Sequence, residues 1–267
     1  MNTVLKTLIA ASLAASVGMA HAAGAASLTA GGYGENFNSM GTSSTITNGW
    51  SVYVGASGTD KYTWETAISA DGVASMVAAS SALSVRTSGF SSSTTGNNGF
   101  NAFIPGDSSD RLLATSPTSI AGTALQLTLQ NDTGSSFSQL AVSYDIYRFR
   151  SVSSAEVLPG YGLFYSLDGA SWSNAAAFNP TAAQMPYNAT GATTMSGTLD
   201  LGASVASGST VYLRWIDDNG TPTSPDQAIG LNNLTISAMP VPEPESYAML
   251  LAGLGLVGFA ARRRKAA

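Results

Sequence analysis

The sequence predicts an all-β protein, a single antiparallel β-sandwich of jelly-roll type, on three observations. Between residues 23 and 240 apolar side chains recur with period two. Gly, Asn, Asp and Ser interrupt them at short intervals, and no stretch repeats with the 3.6-residue period of a helix. A segment of this size suits one large all-β domain, and several short strands with frequent turns point to two packed sheets.

In chain order, Glu35-Asn36-Phe37 predicts an early strand. Leu125, Leu127 and Leu129 alternate with Gln126, Thr128 and Gln130, the pattern of a half-buried strand. Leu140, Val142, Tyr144 and Ile146 repeat it, and Arg148 and Arg150 then continue the same parity with charge. A strand leaving the core, or a bulge near Tyr147, would account for that switch. Residues from Gly162 to Trp172 predict a hairpin turned at Asp168-Gly169, because Asp-Gly tolerates the positive φ of a tight turn. Val211–Ile216 and Ile229–Ile236 predict two late strands flanking a loop from Asp217 to Ala228, with Leu234-Thr235-Ile236 as the last strand. The polar run Ser91–Asn98 predicts a surface loop, and no repeat or linker divides the region.

The two ends have a different character. Met1–Lys6 is a short cationic start, Leu8–Met19 is apolar, and Ala20-His21-Ala22 is a small-x-small cleavage site, which predicts a secretory signal peptide over residues 1–22. At the other end, Pro242 and Pro244 fix φ and remove backbone donors, so Val241–Glu245 is expected to stay extended. The uncharged run Tyr247–Ala261 would reach about 22 Å as a helix, short of the roughly 30 Å hydrocarbon core, so it predicts a marginal transmembrane helix. Arg262, Arg263, Arg264 and Lys265 favour the cytoplasmic side and place the bulk of the chain across the membrane.

Pro242-Glu243-Pro244, the apolar span and the Arg262–Arg264 cluster, in that order, make residues 241–267 resemble a PEP-CTERM sorting signal. The resemblance covers about a tenth of the chain. It implies a substrate of a membrane-embedded exosortase that cuts the tail, in a Gram-negative bacterium that makes exopolysaccharide. The implied partners are exosortase, the secretion machinery, the inner membrane in transit and exopolysaccharide in a biofilm.

Composition narrows the chemistry of the domain between these signals. The one histidine, His21, lies in the signal peptide and the chain has no cysteine, so the 23–240 region lacks the base of a Ser-His-Asp or Cys-His site and the usual zinc ligands. Without disulfides the core must supply stability unaided. The same region carries 14 acidic and six basic side chains, a net of −8, which disfavours nucleic acid.

A second resemblance rests on Ser143-Tyr144-Asp145, Phe149-Arg150, Phe164–Asp168, Ser171-Trp172, Leu213–Asp217 and Ala228–Asn233. These look like the strands of secreted bacterial β-sandwich modules found with PEP-CTERM tails, which are similar to concanavalin-like or carbohydrate-binding jelly rolls. The likeness spans residues 33–238. Where such modules often end in Ile-Asp-Asp or Ile-Asp-Asn, this chain has Leu231-Asn232-Asn233 and has lost the carboxylate.

The candidate metal site is Asp217, Asn219 and Asp226, oxygen donors in a Gly/Pro-rich stretch that suit Ca²⁺ better than a transition metal. The same residues fit a plain turn, with Asp217 at a strand end. Glu35 would join such a site only if the first and last strands pair. Trp50, Trp64, Trp172 and Trp215 invite a sugar-stacking reading, although single tryptophans more often belong to a core. Asp107/Asp110 and Asp217/Asp218 are the acid pairs a glycosidase would need. Adjacent aspartates on a strand point to opposite faces, and Glu35, Glu65 and Glu156 stand in no catalytic context. The expectation is an exported, non-catalytic surface or matrix protein, structural or adhesive, in association with exopolysaccharide. The alternative is a carbohydrate-binding module, stabilised by Ca²⁺.

Overall fold

The structure is a computed structural model that describes residues 24–55, 69–80, 82–88, 90, 97–118, 120–151, 158–219 and 227–240, with Ala252–Leu254 and Leu256. Its strands are β1 (Ala26–Thr29), β2 (Tyr33–Glu35), β3 (Trp50–Val54), β4 (Val77–Ala78), β5 (Ser84–Val85), β6 (Phe100–Ile104) and β7 (Asp107–Thr115). They continue as β8 (Gly122–Asp132), β9 (Phe137–Arg148), β10 (Gly162–Ser166), β11 (Ser173–Asn174), β12 (Gly191–Val205), β13 (Thr210–Asp218) and β14 (Ile229–Pro240). One short helix, α1 (Ala70–Ala74), starts at Ser69, whose side chain accepts from the Gly72 amide.

The strands form two sheets. The first runs β11-β10-β13-β8-β3-β4, and β1 shares the β3 side of β8. The second runs β12-β9-β14-β7-β6-β5, and β2 shares the β7 side of β14. From β7 onward the chain passes back and forth between the sheets, and only the β10–β11 hairpin stays in one. Pairing is antiparallel except at two margins, where β1 runs parallel to β8 and β5 parallel to β6, so the sandwich is not purely antiparallel as the sequence predicts.

Alternation places the core. Leu125, Leu127, Leu129, Leu213 and Trp215 face inward from the first sheet, and Leu140, Val142, Tyr144, Ile146, Leu231 and Ile236 from the second. Between them Trp50 stacks on Trp215 with centroids 5.5 Å apart, and the rings of Phe37 and Tyr144 meet this pair edge-on at 5.0 and 5.6 Å. Each such ring pair contributes roughly 0.5–1.5 kcal/mol beyond the area it buries. The Trp50 indole donates to the Tyr33 hydroxyl at 2.8 Å, so a polar group in this cluster is satisfied.

Four local expectations change. Phe37 is not in a strand: β2 ends at Glu35, and Phe37 adopts φ +59° with its amide held by Glu35 Oε1 at 2.6 Å. No bulge interrupts β9 near Tyr147, since its register with β12 is continuous from Gln139 to Arg148, and Arg148 stays inward and 1% exposed. The second arm of the 162–172 hairpin is only β11, beyond a longer turn in which Asp168 accepts from the amides of Ala170 and Ser171. Asp217 and Asp218 are the last residues of β13, not the start of a loop. The signal peptide at 1–22 lies outside the described residues. So does the transmembrane segment, apart from the helical backbone at Ala252–Leu254 and Leu256; among the described residues no helix is long and apolar enough to cross a membrane.

Candidate functional site

Strand parity sends Asp217 between the sheets and Asp218 to the other face of β13. Asp217 is fully buried; its Oδ2 accepts from Thr115 Oγ1 at 2.5 Å and its Oδ1 from Gln227 Nε2 at 2.8 Å. Thr115 ends β7, so the first contact ties one sheet to the other. Its hydroxyl lies 3.0 Å from that of Tyr161, which donates to the Ile229 carbonyl at 3.1 Å. Gln227 also accepts from Arg148 Nη1 at 3.4 Å, and Arg148 Nη2 donates to the Pro159 carbonyl. One amide thus bridges a buried carboxylate and a buried guanidinium. Charges are tolerated in such an interior only when hydrogen bonds replace their lost water. Burial, then the charge of Asp217, push the Tyr161 phenol well above its usual range. The cluster is closed to solvent and works as a polar tie between the sheets.

The calcium candidates part company here. Both Asp217 oxygens already accept hydrogen bonds, so Ca²⁺ would compete with Thr115 and Gln227. The Asn219 side chain donates to the Ile120 carbonyl at 2.8 Å. Asp226 lies outside the described residues, among which no three acidic, His or Cys side chains converge on a metal position. It is β2, the second strand, that pairs with the last, with Glu35 opposite Leu234, while β1 pairs with β8; Glu35 bonds to Phe37 and stands in the other sheet from Asp217.

A more open arrangement lies along β14. Its register with β9 shifts between Asn232 and Thr235, and Asn233 takes φ +48°, a conformation asparagine adopts more readily than most residues. This bulge aims Asn233 Nδ2 at Asp145 Oδ2 (2.8 Å) and Asn232 Nδ2 at Asp110 Oδ1 (3.0 Å), while Thr194 donates to Asp145 Oδ1 (2.6 Å). A polar row therefore crosses four adjacent strands: β12, β9, β14 and β7. Beside it a depression of about 360 Å³ is lined by Gly34, Glu35, Asn36, Asn233, Leu234 and Thr235. The two non-glycine residues with positive φ among those described, Phe37 and Asn233, border this region. Its amides, hydroxyl and carboxylate can exchange hydrogen bonds with a hydroxyl-rich ligand, and no aromatic ring among the described residues lines it. The sequence signal was the Leu231-Asn232-Asn233 departure.

The described tryptophans do not form a platform. Trp50 and Trp215 are in the core, and Trp64 lies outside the described residues. Trp172, 6% exposed, covers Arg214, whose guanidinium sits 4.1 Å from that ring centroid and 3.9 Å from that of Tyr53. Arg214 donates to Gln126 Oε1 at 2.7 Å and to the Val73 carbonyl at 2.6 Å, pinning α1 onto the outer face of the first sheet. Burial pulls this guanidinium down to about 10, still charged at neutral pH.

β14 ends at Pro240, and residues 240–265 match the PEP-CTERM protein-sorting motif. The tail is a sorting signal. It marks an exported protein that is sorted by exosortase through a membrane-anchored intermediate to the surface. Pro242, Glu243, Pro244, Arg262, Arg263 and Arg264 lie outside the described residues. No curated protein matches the chain. Among solved structures it is similar to a family GH115 4-O-methyl-α-glucuronidase, BtGH115A, with specificity for decorated arabinogalactans. That match has 14% identity and TM-score 0.30 and covers 54% of this chain and 16% of that one. It is also similar to the Agl-KA catalytic domain, at 14% identity and TM-score 0.26 over 51% of this chain and 23% of that one. The chain spans less than a quarter of either.

Proposed function

We propose that this is a non-catalytic protein of the cell surface or extracellular matrix of a Gram-negative bacterium, structural or adhesive, in contact with exopolysaccharide. The observation that carries the proposal is the sorting motif beginning where the last core strand ends, which delivers a folded sandwich to the outside of the cell. The partners of the carboxylates support the non-catalytic part. Asp217 is shut between the sheets, and Asp110 and Asp145 bond to neighbouring amides. The hydroxyl and amide row across the second sheet supports contact with a hydroxyl-rich polymer. The passage of the chain between sheets supports a jelly-roll, concanavalin-like reading of the fold.

The depression beside Glu35, Asn36 and Asn233 favours a second reading, a carbohydrate-binding module with defined specificity. With no aromatic ring among the described residues of its lining, this ranks below the first. Saturable glycan binding that is lost in Asn233→Ala and Glu35→Ala would establish the second reading. Weak binding to the host polysaccharide, indifferent to both substitutions, would leave the first.

The sorting route is tested by intact mass and cell fractionation in hosts with and without exosortase. The tail is expected to be lost only when the enzyme is present. Replacing Pro242, Glu243 and Pro244 together by alanine is expected to leave the chain unprocessed in the inner membrane. Unchanged maturation of that variant, or a tail kept in both hosts, overturns the proposal in favour of a plain anchor.

A further inference from the structure

The two sheets end in β4 and β11 in the first and β5 and β12 in the second, and the short strands β1 and β2, of four and three residues, also pair on one side only. β4, β5 and β11 have two residues each, too short to template another strand, whereas β12 has fifteen. From Gly191 opposite Arg148 to Asp200 opposite Gln139, β12 pairs with β9 without interruption. On the other side of those ten residues there is no strand among the described residues. Among the described residues none of their backbone groups bonds to backbone outside that ladder. Ser196, Gly197 and Thr198 are exposed in succession.

Proteins guard such margins with charge, proline, bulges or brevity. Residues 191–199 carry no charge and no proline. The ladder is irregular only between Asp200 and Val205, where Gly202 has φ +68°. What remains is an unprotected edge about 30 Å long.

We propose that β12 is an assembly edge that pairs antiparallel with β12 of a second copy about a two-fold axis at Ser196. The occupant follows from the pattern on the strand. Antiparallel pairing about a two-fold keeps the faces of both sheets aligned only when opposed residues share parity, so the axis passes through a residue. With Ser196 on the axis, Thr194 of each copy stands opposite Thr198 of the other, a favourable cross-strand pair, and Asp200 meets Ala192 instead of another carboxylate. On the inner face Met195 stands opposite Gly197 of the other copy, where there is no side chain to oppose it and the Phe178 ring lies 3.4 Å from where a Cβ would stand. The second sheets of both copies then become one continuous sheet.

β12 and β14 both run antiparallel to β9, so they run parallel to each other. In the pair the two β14 strands therefore point in opposite directions, and the tails leave opposite ends. Two chains anchored side by side in one flat membrane cannot adopt this arrangement. It belongs to chains released from their tails or held on facing surfaces. The inference rests on the strand edge alone and holds whether or not exopolysaccharide is the protein's ligand.

The test uses the full chain in detergent, where each tail has its own micelle, with sedimentation velocity as the readout. The expected result is a dimer whose affinity falls at least about tenfold in Ser196→Lys, which sets two cations side by side on the axis. That side chain is exposed, so unfolding curves are expected to match the wild type. The chain has no cysteine, and so Ser196→Cys is expected to form a disulfide-linked dimer under mild oxidation, while Val77→Cys, also exposed, does not. A monomeric wild type, a dimer indifferent to Ser196→Lys, or equal cross-linking at position 77 overturns the proposal.

Discussion

Replacing Asp217 by asparagine distinguishes a polar tie from a metal ligand. The carboxylate accepts from Thr115 at 2.5 Å and from Gln227 at 2.8 Å. Asparagine has nearly the same shape. Its Oδ1 can accept from Gln227 while its Nδ2 donates to Thr115, whose hydroxyl proton then turns towards Tyr161, 3.0 Å away. Thr115, Gln227 and Tyr161 keep partners, and what is lost is the charge assistance on two bonds, about 1 kcal/mol each. Arg148 also loses the opposite charge beyond Gln227, which brings the expected cost to about 2–3 kcal/mol. Asp217→Ala leaves Thr115 and Gln227 without this acceptor and is expected to cost about 3–5 kcal/mol. Urea unfolding followed by tryptophan fluorescence reads both, since Trp50 and Trp215 lie in the core. In a domain of this size the asparagine variant should melt roughly 4–12 °C below wild type, equally in Ca²⁺ and in EDTA. A loss under about 0.5 kcal/mol refutes the network as the source of stability. A wild-type melting temperature that rises with Ca²⁺, and no longer does so in the variant, refutes the tie and makes Asp217 a ligand.

Burial raises the phenols of Tyr33, Tyr144 and Tyr161, so the folded state prefers their neutral forms. The stability they contribute is complete below the unfolded value near 10 and is lost as pH rises above it. Ultraviolet titration of the ten tyrosines should therefore show at least three that ionise only with alkaline unfolding; a single step near pH 10 for all ten would contradict the burial of Tyr33, Tyr144 and Tyr161. Gly49 has φ +82°, and a Cβ there would stand 2.6 Å from the Ala26 amide nitrogen, where β1 and β3 share one side of β8. Gly49→Ala is expected to cost more than about 2 kcal/mol by urea unfolding, against about 1 kcal/mol for Gly208→Ala, which has φ +80° and open space. Equal costs would mean that backbone strain alone matters at position 49.

Strands with one face on the core were legible because their side chains alternate: β8, β9, β13 and β14 all lie where Leu, Val, Ile and Tyr recur every second residue. β12 was not, because at a sheet margin Met195, Leu199 and Leu201 face inward but Gly197 interrupts them. The inner end of β7 reads as a continuous buried run, since Phe90, Phe100 and Phe149 cover its outer face near Leu112 and Ala114. Arg148 kept the parity of Ile146, yet its charge argued for departure from the core. Its partners include the Pro159 carbonyl and Gln227, the latter seventy-nine positions on, and no local pattern announces them. The depression at Glu35 and Asn233 depends on pairing between the second strand and the last, so its residues were visible but their meeting was not.

That last strand also sets a timetable. β14 is held by β9 on one side and by β7 and β2 on the other, so sheet closure waits on residues 229–240. Contacts this distant in sequence form slowly, because a long loop must be ordered before they repay its entropy. A chain crossing a membrane amino end first would thus remain threadable until nearly all of the domain had emerged. Folding would then finish beside the bilayer, with the sorting tail still engaged.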